Sequence, residues 1–362
     1  MVLGASCLQA GAIAAQARPA APAPTVAEAE QVVSRLVETY GVSGVEAPVR
    51  DAVRTMLPSW AHPTVDGGGN LWVVAGKGAP KVVFVAHLDE IGFDVTAIRD
   101  DGTLELRPRG GFIPSLYEAQ PALIHAGSAP IPAVFLPRDS IGRTPGRSPG
   151  AIRADPGTGS KAATEALGIK VGTTLTMPKS YARLVGTRAT GRSFDDRVGS
   201  AALVLALRRI DPTKLTHAVA FVWSTREEVG LDGARIVADS LKDGSAVVLA
   251  IDTFVSADSP LEIPTFALAP IGRGPVARAV DNSSVTPTRL VDSLVALARA
   301  RGIPFQVGAT NGGNDGSTFA AYGVPDAPMG WPLRYSHSPA EVIDLKDLVG
   351  LARMVEAVAK SW

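Results

Sequence analysis

The sequence predicts an α/β protein in which a mixed sheet carries helices on both faces and is interrupted by a small β-barrel-like insert. Three observations predict it. Apolar runs such as Val82-Val83-Phe84-Val85 read as strands buried on both faces, as in an open α/β sheet. Residues at helical spacing, such as Val26, Val32, Val33, Leu36 and Val37, form amphipathic segments that alternate with these runs. From about Thr96 to Leu184 the texture changes to short alternating segments broken by glycine and proline, for example Ile131-Pro132-Ala133-Val134-Phe135, which reads as β-rich and barrel-like.

Taken in order, a first helix is expected from Thr25 to about Tyr40, stopping before Gly41, and a second from about Pro48 to Leu57. Short strands near Thr64 and at Leu71 to Val74 flank a Gly67-Gly68-Gly69-Asn70 turn and precede the Val82 strand. One helix, at about Ser160 to Leu167, is expected inside the insert. After Arg192 the α/β pattern returns: a helix from about Val198 to Arg209, a strand Ala218 to Trp223, a helix around Ala234 to Leu241 and a strand Ala246 to Ile251. A helix at Thr288 to Ala300, a short strand at Phe305, a helix near Ser317 to Ala321 and a closing helix from Leu345 to Ala359 complete the chain.

With 362 residues, 46% of them hydrophobic, the chain can bury a full core. Its 35 basic and 35 acidic residues balance, so no net field recruits nucleic acid or an anionic membrane, and a small molecule or peptide is the expected partner. The single cysteine, Cys7, excludes an internal disulfide framework and a cysteine-built zinc site. The N-terminus passes Ala15-Gln16-Ala17 into an Ala/Pro segment, which resembles a signal-peptidase site without the usual basic region. Export to the periplasm or secretion is the expectation, with a disordered tail on a cytoplasmic protein as the alternative. No later stretch reaches membrane-spanning length without a charge or proline.

The chemistry-bearing residues cluster at element ends. The Val82 strand stops at His87, with Asp89 and Glu90 following, at the edge where open α/β sheets bind ligands. A histidine there, with an acid two residues on to accept its other ring N–H, suits a metal ligand and its orienting partner. Asp195-Asp196 precede a helix that one acid would suffice to cap. Glu227-Glu228 follow the Ala218 strand, Asp252 ends the next strand, and His337 lies in a loop before the last helix. Two histidines and three carboxylates without cysteine suit hard or borderline divalent ions such as Zn, Co or Mn. Two ions sharing one carboxylate use all five, and a sixth acid beside them is what a two-metal hydrolase needs as general base. His62, His125 and His217 fall outside this pattern and read as surface or packing residues. Gly272-Arg273-Gly274-Pro275 reads as a tight turn, because no Lys-Ser/Thr follows it to make a phosphate loop. Phe221 and Trp223 read as core residues of a buried strand.

AHLDEIGF, FDDRVGSAALVLAL, VWSTREEVGLDGA, AIDTF, GGNDGSTFAAYGVP and RYSHSP, in that order, resemble the co-catalytic metallo-aminopeptidases of the tetrahedral, glutamyl- and deblocking-aminopeptidase family. The resemblance covers nearly everything after residue 25. It implies a zinc-aminopeptidase-like catalytic body formed by residues 25–95 and 185–362, an insert at 96–184 serving substrate access and subunit contacts, and a leader or tail at 1–24. It also implies two divalent ions per subunit, zinc first and cobalt or manganese as alternatives. Asp195 would bridge them, His87 and Asp252 would complete one site, and Glu228 and His337 the other. Glu227 would take a proton from the water shared by the ions, and Asp89 would orient His87. A cis Asp195-Asp196 peptide is implied, as are short peptide substrates and a homo-oligomer between a dimer and a tetrahedral dodecamer. Two departures bear on the details: Asn314-Asp315-Gly316 replaces the family's Thr-Asp-Ala, and Pro137-Arg138-Asp139-Ser140 replaces a Pro-Pro-His-like segment.

The alternative chemistry on the same metals is deacylation of N-acylated amino acids or peptides. Glycan hydrolysis needs two carboxylates without metal ligands, and the histidines argue against it. A non-catalytic receptor domain requires a broken constellation, whereas all six positions are present.

Overall fold

A reciprocal cap starts the first helix in the computed structural model, which describes residues 22–137, 151–242, 246–261 and 267–362. The Glu28 N–H donates to Thr25 Oγ1 at 3.1 Å and the Thr25 N–H donates to Glu28 Oε2 at 2.8 Å, fixing the entry to α1 (Val26–Val37). Next come α2 (Ala47–Met56), β1 (Thr64–Val65), β2 (Leu71–Ala75) and β3 (Pro80–His87). The chain then leaves the main sheet for β4 (Gly92–Ile98), β5 (Leu104–Arg109), β6 (Pro121–His125), β7 (Ile131–Phe135), β8 (Arg153–Asp155), α3 (Lys161–Ala166) and β9 (Thr174–Thr176). These six strands close a barrel in the order β4-β5-β8-β7-β6-β9. Its first strand begins at Gly92, ahead of the boundary expected at residue 96, because the apolar run after Glu90 enters the barrel rather than extending the sheet.

After the barrel come β10 (Tyr181–Arg183), β11 (Arg188–Gly191), α4 (Phe194–Leu207), β12 (Ala218–Ser224), α5 (Asp232–Leu241) and β13 (Val247–Val255). The last third comprises β14 (Val276–Val280), α6 (Thr288–Ala300), β15 (Gln306–Ala309), a 3-10 helix (Asp315–Tyr322), β16 (Met329–Leu333), β17 (Glu341–Asp344) and α7 (Leu345–Ser361). The main sheet is mixed and runs β1-β2-β12-β3-β13-β16-β14-β15, while β10-β11-β17 make a small second sheet. Strands β12, β3, β13 and β16 are mutually parallel and occupy its centre.

The continuous apolar run of β3 is explained by burial on both sides. Val82, Phe84 and Ala86 join the core made with α1, α4 and α7, whereas Val83 and Val85 pack with Val237 and Ala238 of α5 and with Phe319. Helix α4 lies wholly inside: all its residues are buried. Phe221 and Trp223 are core residues of β12, as their strand context predicts.

Several elements differ from expectation. Strands β10, β11, β14, β16 and β17 carry no strong sequence signal, and β16 (MGWPL) contains a glycine and a proline that argue against a strand. Gly330 is there for closeness: a Cβ on it would lie 2.3 Å from the Asp252 carbonyl oxygen. The expected strand at Phe305 begins at Gln306, and the expected helix at Ser317–Ala321 is a 3-10 helix. At Gly272–Gly274 the turn N–H groups donate to the Asp347 carboxylate at 2.6 and 2.7 Å, so a side chain of the protein occupies the place a phosphate would take. Residues 1–21, with Cys7 and the leader-like stretch, and most of the Pro137-Arg138-Asp139-Ser140 segment lie outside the described residues. Among the described residues no helix is long and apolar enough to cross a membrane.

Candidate metal centre

Parallel register sets the first half of the site. Val85 of β3 pairs with Ala250 of β13, so two residues further along both strands bring His87 level with Asp252. On the other side Ser224, at the end of β12, pairs with His87, and the chain turns from there into Arg226, Glu227 and Glu228. Asp195 arrives from the start of α4, where the Asp195-Asp196 peptide is cis. The two acids divide their work. Asp196 accepts the Gly199 N–H at 2.9 Å, as the cap of the regular helix, and leaves Asp195 free for the site.

The Asp195 carboxylate faces both histidines at once. Its Oδ1 lies 3.2 Å from His87 Nε2 and its Oδ2 lies 3.3 Å from His337 Nε2. His337 Nε2 is also 3.4 Å from Glu228 Oε1, and His87 Nε2 is 3.8 Å from Glu227 Oε2. Two groups could therefore each hold an ion: His87, Asp195 and Asp252, and Asp195, Glu228 and His337, with the donor atoms of each group within 4.8 Å of one another.

Asp89 ties the strand ends together. It is fully buried, approaches His87 Nδ1 through its carbonyl oxygen at 3.1 Å and through Oδ1 at 3.5 Å, and accepts a hydrogen bond from Ser43 Oγ at 2.6 Å. Its carboxylate also accepts the N–H of Glu227 at 3.0 Å and of Glu228 at 3.2 Å. Glu341, which the sequence reading passed over, does the same for the other half. Its Oε2 accepts the Phe194 N–H at 2.6 Å and the Asp195 N–H at 3.4 Å, while its Oε1 accepts the His337 N–H at 3.0 Å. The only local hint was an acid four residues after a histidine.

Glu90 is not part of this cluster. It is buried and pairs with Lys179 and with Arg197, the latter at 3.5 Å, and accepts from Ser193 Oγ. Although burial alone would raise its carboxyl, the Lys179, Arg197 and Arg192 charges hold it down at about 2. Its pair with Lys179 closes the base of the insert, since Glu90 lies just before β4 and Lys179 just after β9.

The electrostatics suit cations. Burial, reinforced by Asp252, Asp315 and Glu228, holds the Glu227 carboxyl well above the usual range. Burial also pushes Asp252 up to about 7, Arg278 opposing and Asp195 reinforcing it. Asp195 is lowered despite burial because both histidines donate to it, and His87 is held well above its usual value, against burial, by Asp195 and Asp89. Clustered buried carboxylates of this kind need positive charge, and divalent ions supply more of it than two imidazoles. The donor set of imidazole nitrogens and carboxylate oxygens fits such ions.

The cluster opens on a cavity of about 550 Å³ whose walls include Phe112, Ile113, Leu231 and Val255 beside the polar groups. The other histidines stay apart from it. His125 stacks on Tyr40 at 3.7 Å and hydrogen-bonds Thr176 at 2.8 Å inside the barrel wall. His62 is exposed, and His217 borders the start of β12.

Residues 69–354 match the model of the M42 glutamyl aminopeptidase family. The chain is 27% identical to the lysyl aminopeptidase of Pyrococcus furiosus over 342 residues, covering 91% of this chain and 96% of that protein. It is 27% identical over 347 residues to the glutamyl aminopeptidase of Lactococcus lactis, covering 91% and 95%. Among solved structures, the Pyrococcus horikoshii TET1 peptidase, which can assemble into a tetrahedron or a large octahedral shell, superposes with a TM-score of 0.83 at 30% identity, over 93% of this chain and all of that one. With the family model spanning most of the chain and the cluster of imidazole and carboxylate donors in place, this protein belongs to the M42 glutamyl aminopeptidase family and is a metal-dependent hydrolase that acts as an aminopeptidase.

Proposed function

We propose that the protein removes N-terminal residues from short peptides with two divalent ions, held by His87, Asp252 and the shared Asp195 on one side and by Asp195, Glu228 and His337 on the other. One observation carries this reading: the two oxygens of Asp195 face different histidines, each backed by its own further carboxylate. Zinc is the ion expected first, with cobalt or manganese as alternatives. When bound, the ions supply Lewis-acid polarisation of the scissile carbonyl and ease deprotonation of the attacking water.

The side chains supply the rest. Glu227, which lies outside both donor groups with its Oε2 3.8 Å from His87 Nε2, takes the proton of the attacking water and passes it to the leaving amine. Its place beside both donor groups suits that double role, since the same carboxylate can reach the attacking water and the leaving amine. Asp89 orients His87 and fixes the peptide groups of Glu227 and Glu228. Phe112, Ile113, Leu231 and Val255 in the cavity wall offer apolar surface to the N-terminal side chain. In this reading the main-sheet body forms the catalytic part, the barrel that begins at Gly92 forms an insert serving access and subunit contacts, and the chain forms a homo-oligomer.

The test is Glu227→Gln, assayed for metal content and for cleavage of free-amine peptides. Both ions should stay, and kcat should fall by about a hundredfold or more. A fully active variant removes Glu227 from the mechanism. A wild-type protein that cleaves only N-acylated substrates removes the aminopeptidase reading.

A further inference from the structure

Both peptide groups of His337 are spoken for. The residue sits in the left-handed region at φ 58°, which is uncommon for a residue with a Cβ and persists only where the surroundings hold it. On one side its N–H donates to Glu341 Oε1 at 3.0 Å. On the other its carbonyl accepts from the hydroxyl of Tyr117 at 2.9 Å, across 220 residues of sequence.

Tyr117 belongs to the insert. Its ring is buried in an aromatic cluster, edge-on to Phe93 at 5.5 Å, to Phe112 at 5.4 Å and to Phe135 at 5.8 Å. The cluster leaves the ring little freedom and aims one polar atom out of the barrel at the His337 backbone. The segment leading to it presses on the same half of the site: a Cβ on Gly110 would lie 3.2 Å from Glu228 Oε2, and one on Gly111 3.6 Å from His337 Nδ1. Among the described residues no comparable insert contact is made with His87, whose strand neighbours already fix it.

We infer that Tyr117 is a positioning residue of the metal centre, clamping His337 from the insert so that the barrel sets the affinity of the ion held by Glu228 and His337. This rests on the two-ion reading above. A hydroxyl that merely filled the barrel core would bear on stability alone. A clamp bears on one binding step and spares the other, because Asp195 and the β3 and β13 ends are anchored elsewhere.

The experiment uses the full chain, stripped of metal and titrated with zinc by calorimetry and with cobalt by visible absorption. His337→Ala identifies the binding step that belongs to His337. Tyr117→Phe, which keeps the ring, should weaken that same step about tenfold or more and leave the other unchanged, with activity restored by excess metal. Phe135→Leu, which disturbs the ring cluster but keeps the hydroxyl, should lower the melting temperature and leave both steps in place. Two unchanged steps in Tyr117→Phe, against a lost step in His337→Ala, overturn the clamp and leave the two-ion reading standing. Equal weakening of both steps in Tyr117→Phe also overturns it. Two intact steps in His337→Ala overturn the two-ion reading and the clamp together.

Discussion

The two donor groups share Asp195 but are built differently. His87 and Asp252 stand on adjacent parallel strands, and main-chain register alone brings them level. Glu228 and His337 stand on loops, flanked by Arg226, Leu231, Tyr335 and His337 itself in positive-φ conformations. The His87 side chain is 2% exposed and that of His337 is 27% exposed. A sheet positions ligands with hydrogen bonds it makes anyway, whereas a loop needs dedicated partners, here Asp89, Glu341 and Tyr117. The loop-borne ion should therefore be the weaker and more exchangeable of the two.

The sharpest break would come at the residue both halves use. Asp195→Ala should empty both sites and reduce cleavage to background; elemental analysis showing one ion retained at full affinity would mean that Asp195 serves only one half. His87→Ala and His337→Ala come next. Each should lose one ion, and the asymmetry predicts that excess zinc rescues His337→Ala further than His87→Ala, which competitive chelation can rank. Equal rescue would erase the distinction between strand and loop.

A smaller effect on turnover is expected at Glu341. Glu341→Ala leaves the N–H groups of Phe194 and His337 unpaired, so stability to urea should fall by about 1–3 kcal/mol per group left unsatisfied. Metal affinity should fall in both steps, unlike the single-step loss expected for Tyr117→Phe. The smallest effect on turnover belongs to Glu90, which touches neither half. Its carboxyl is held at about 2, below its ordinary value of 4.5, so its contribution to stability is fully present above about pH 4.5 and drains away as the pH falls towards 2. Urea midpoints of wild type and Glu90→Gln should therefore converge across that acid window, and a gap that stays constant would remove Glu90 from the acid response.

Much of the site was legible because its residues interrupt apolar runs. His87, Asp252 and the Glu227-Glu228 pair stand out where hydrophobic strands stop, and Asp195 stands out as one acid more than a cap requires. The structure brings these together with His337 in one cluster, all but the buried His87 lining one cavity, and the alternation of strands and helices located most of the body. What was hidden acts at long range on main-chain atoms. Tyr117 looks like any aromatic of a β-rich segment, and Glu341 like an acid near a turn, because a hydrogen bond to a distant peptide group leaves no local periodicity. Glu90 drew attention for its neighbours, yet its partners, Lys179 and Arg197, lie far along the chain. Strand β16 was hidden because its glycine admits the backbone of Asp252 where a side chain would have announced a strand.

The Glu90–Lys179 pair has a consequence in polymer terms. It closes a loop of 89 residues at its base, so the sheet receives the two ends of the insert as a fixed pair whatever lies between them. Closing a longer loop costs little more than closing a shorter one, about 0.6 kcal/mol per doubling of length. Lengthening an exposed loop at the far side of the barrel should therefore cost the candidate metal centre little, provided the turn bearing Tyr117 keeps its place. The outer loops of the barrel are thus the part of this chain whose length bears least on the candidate metal centre beneath them.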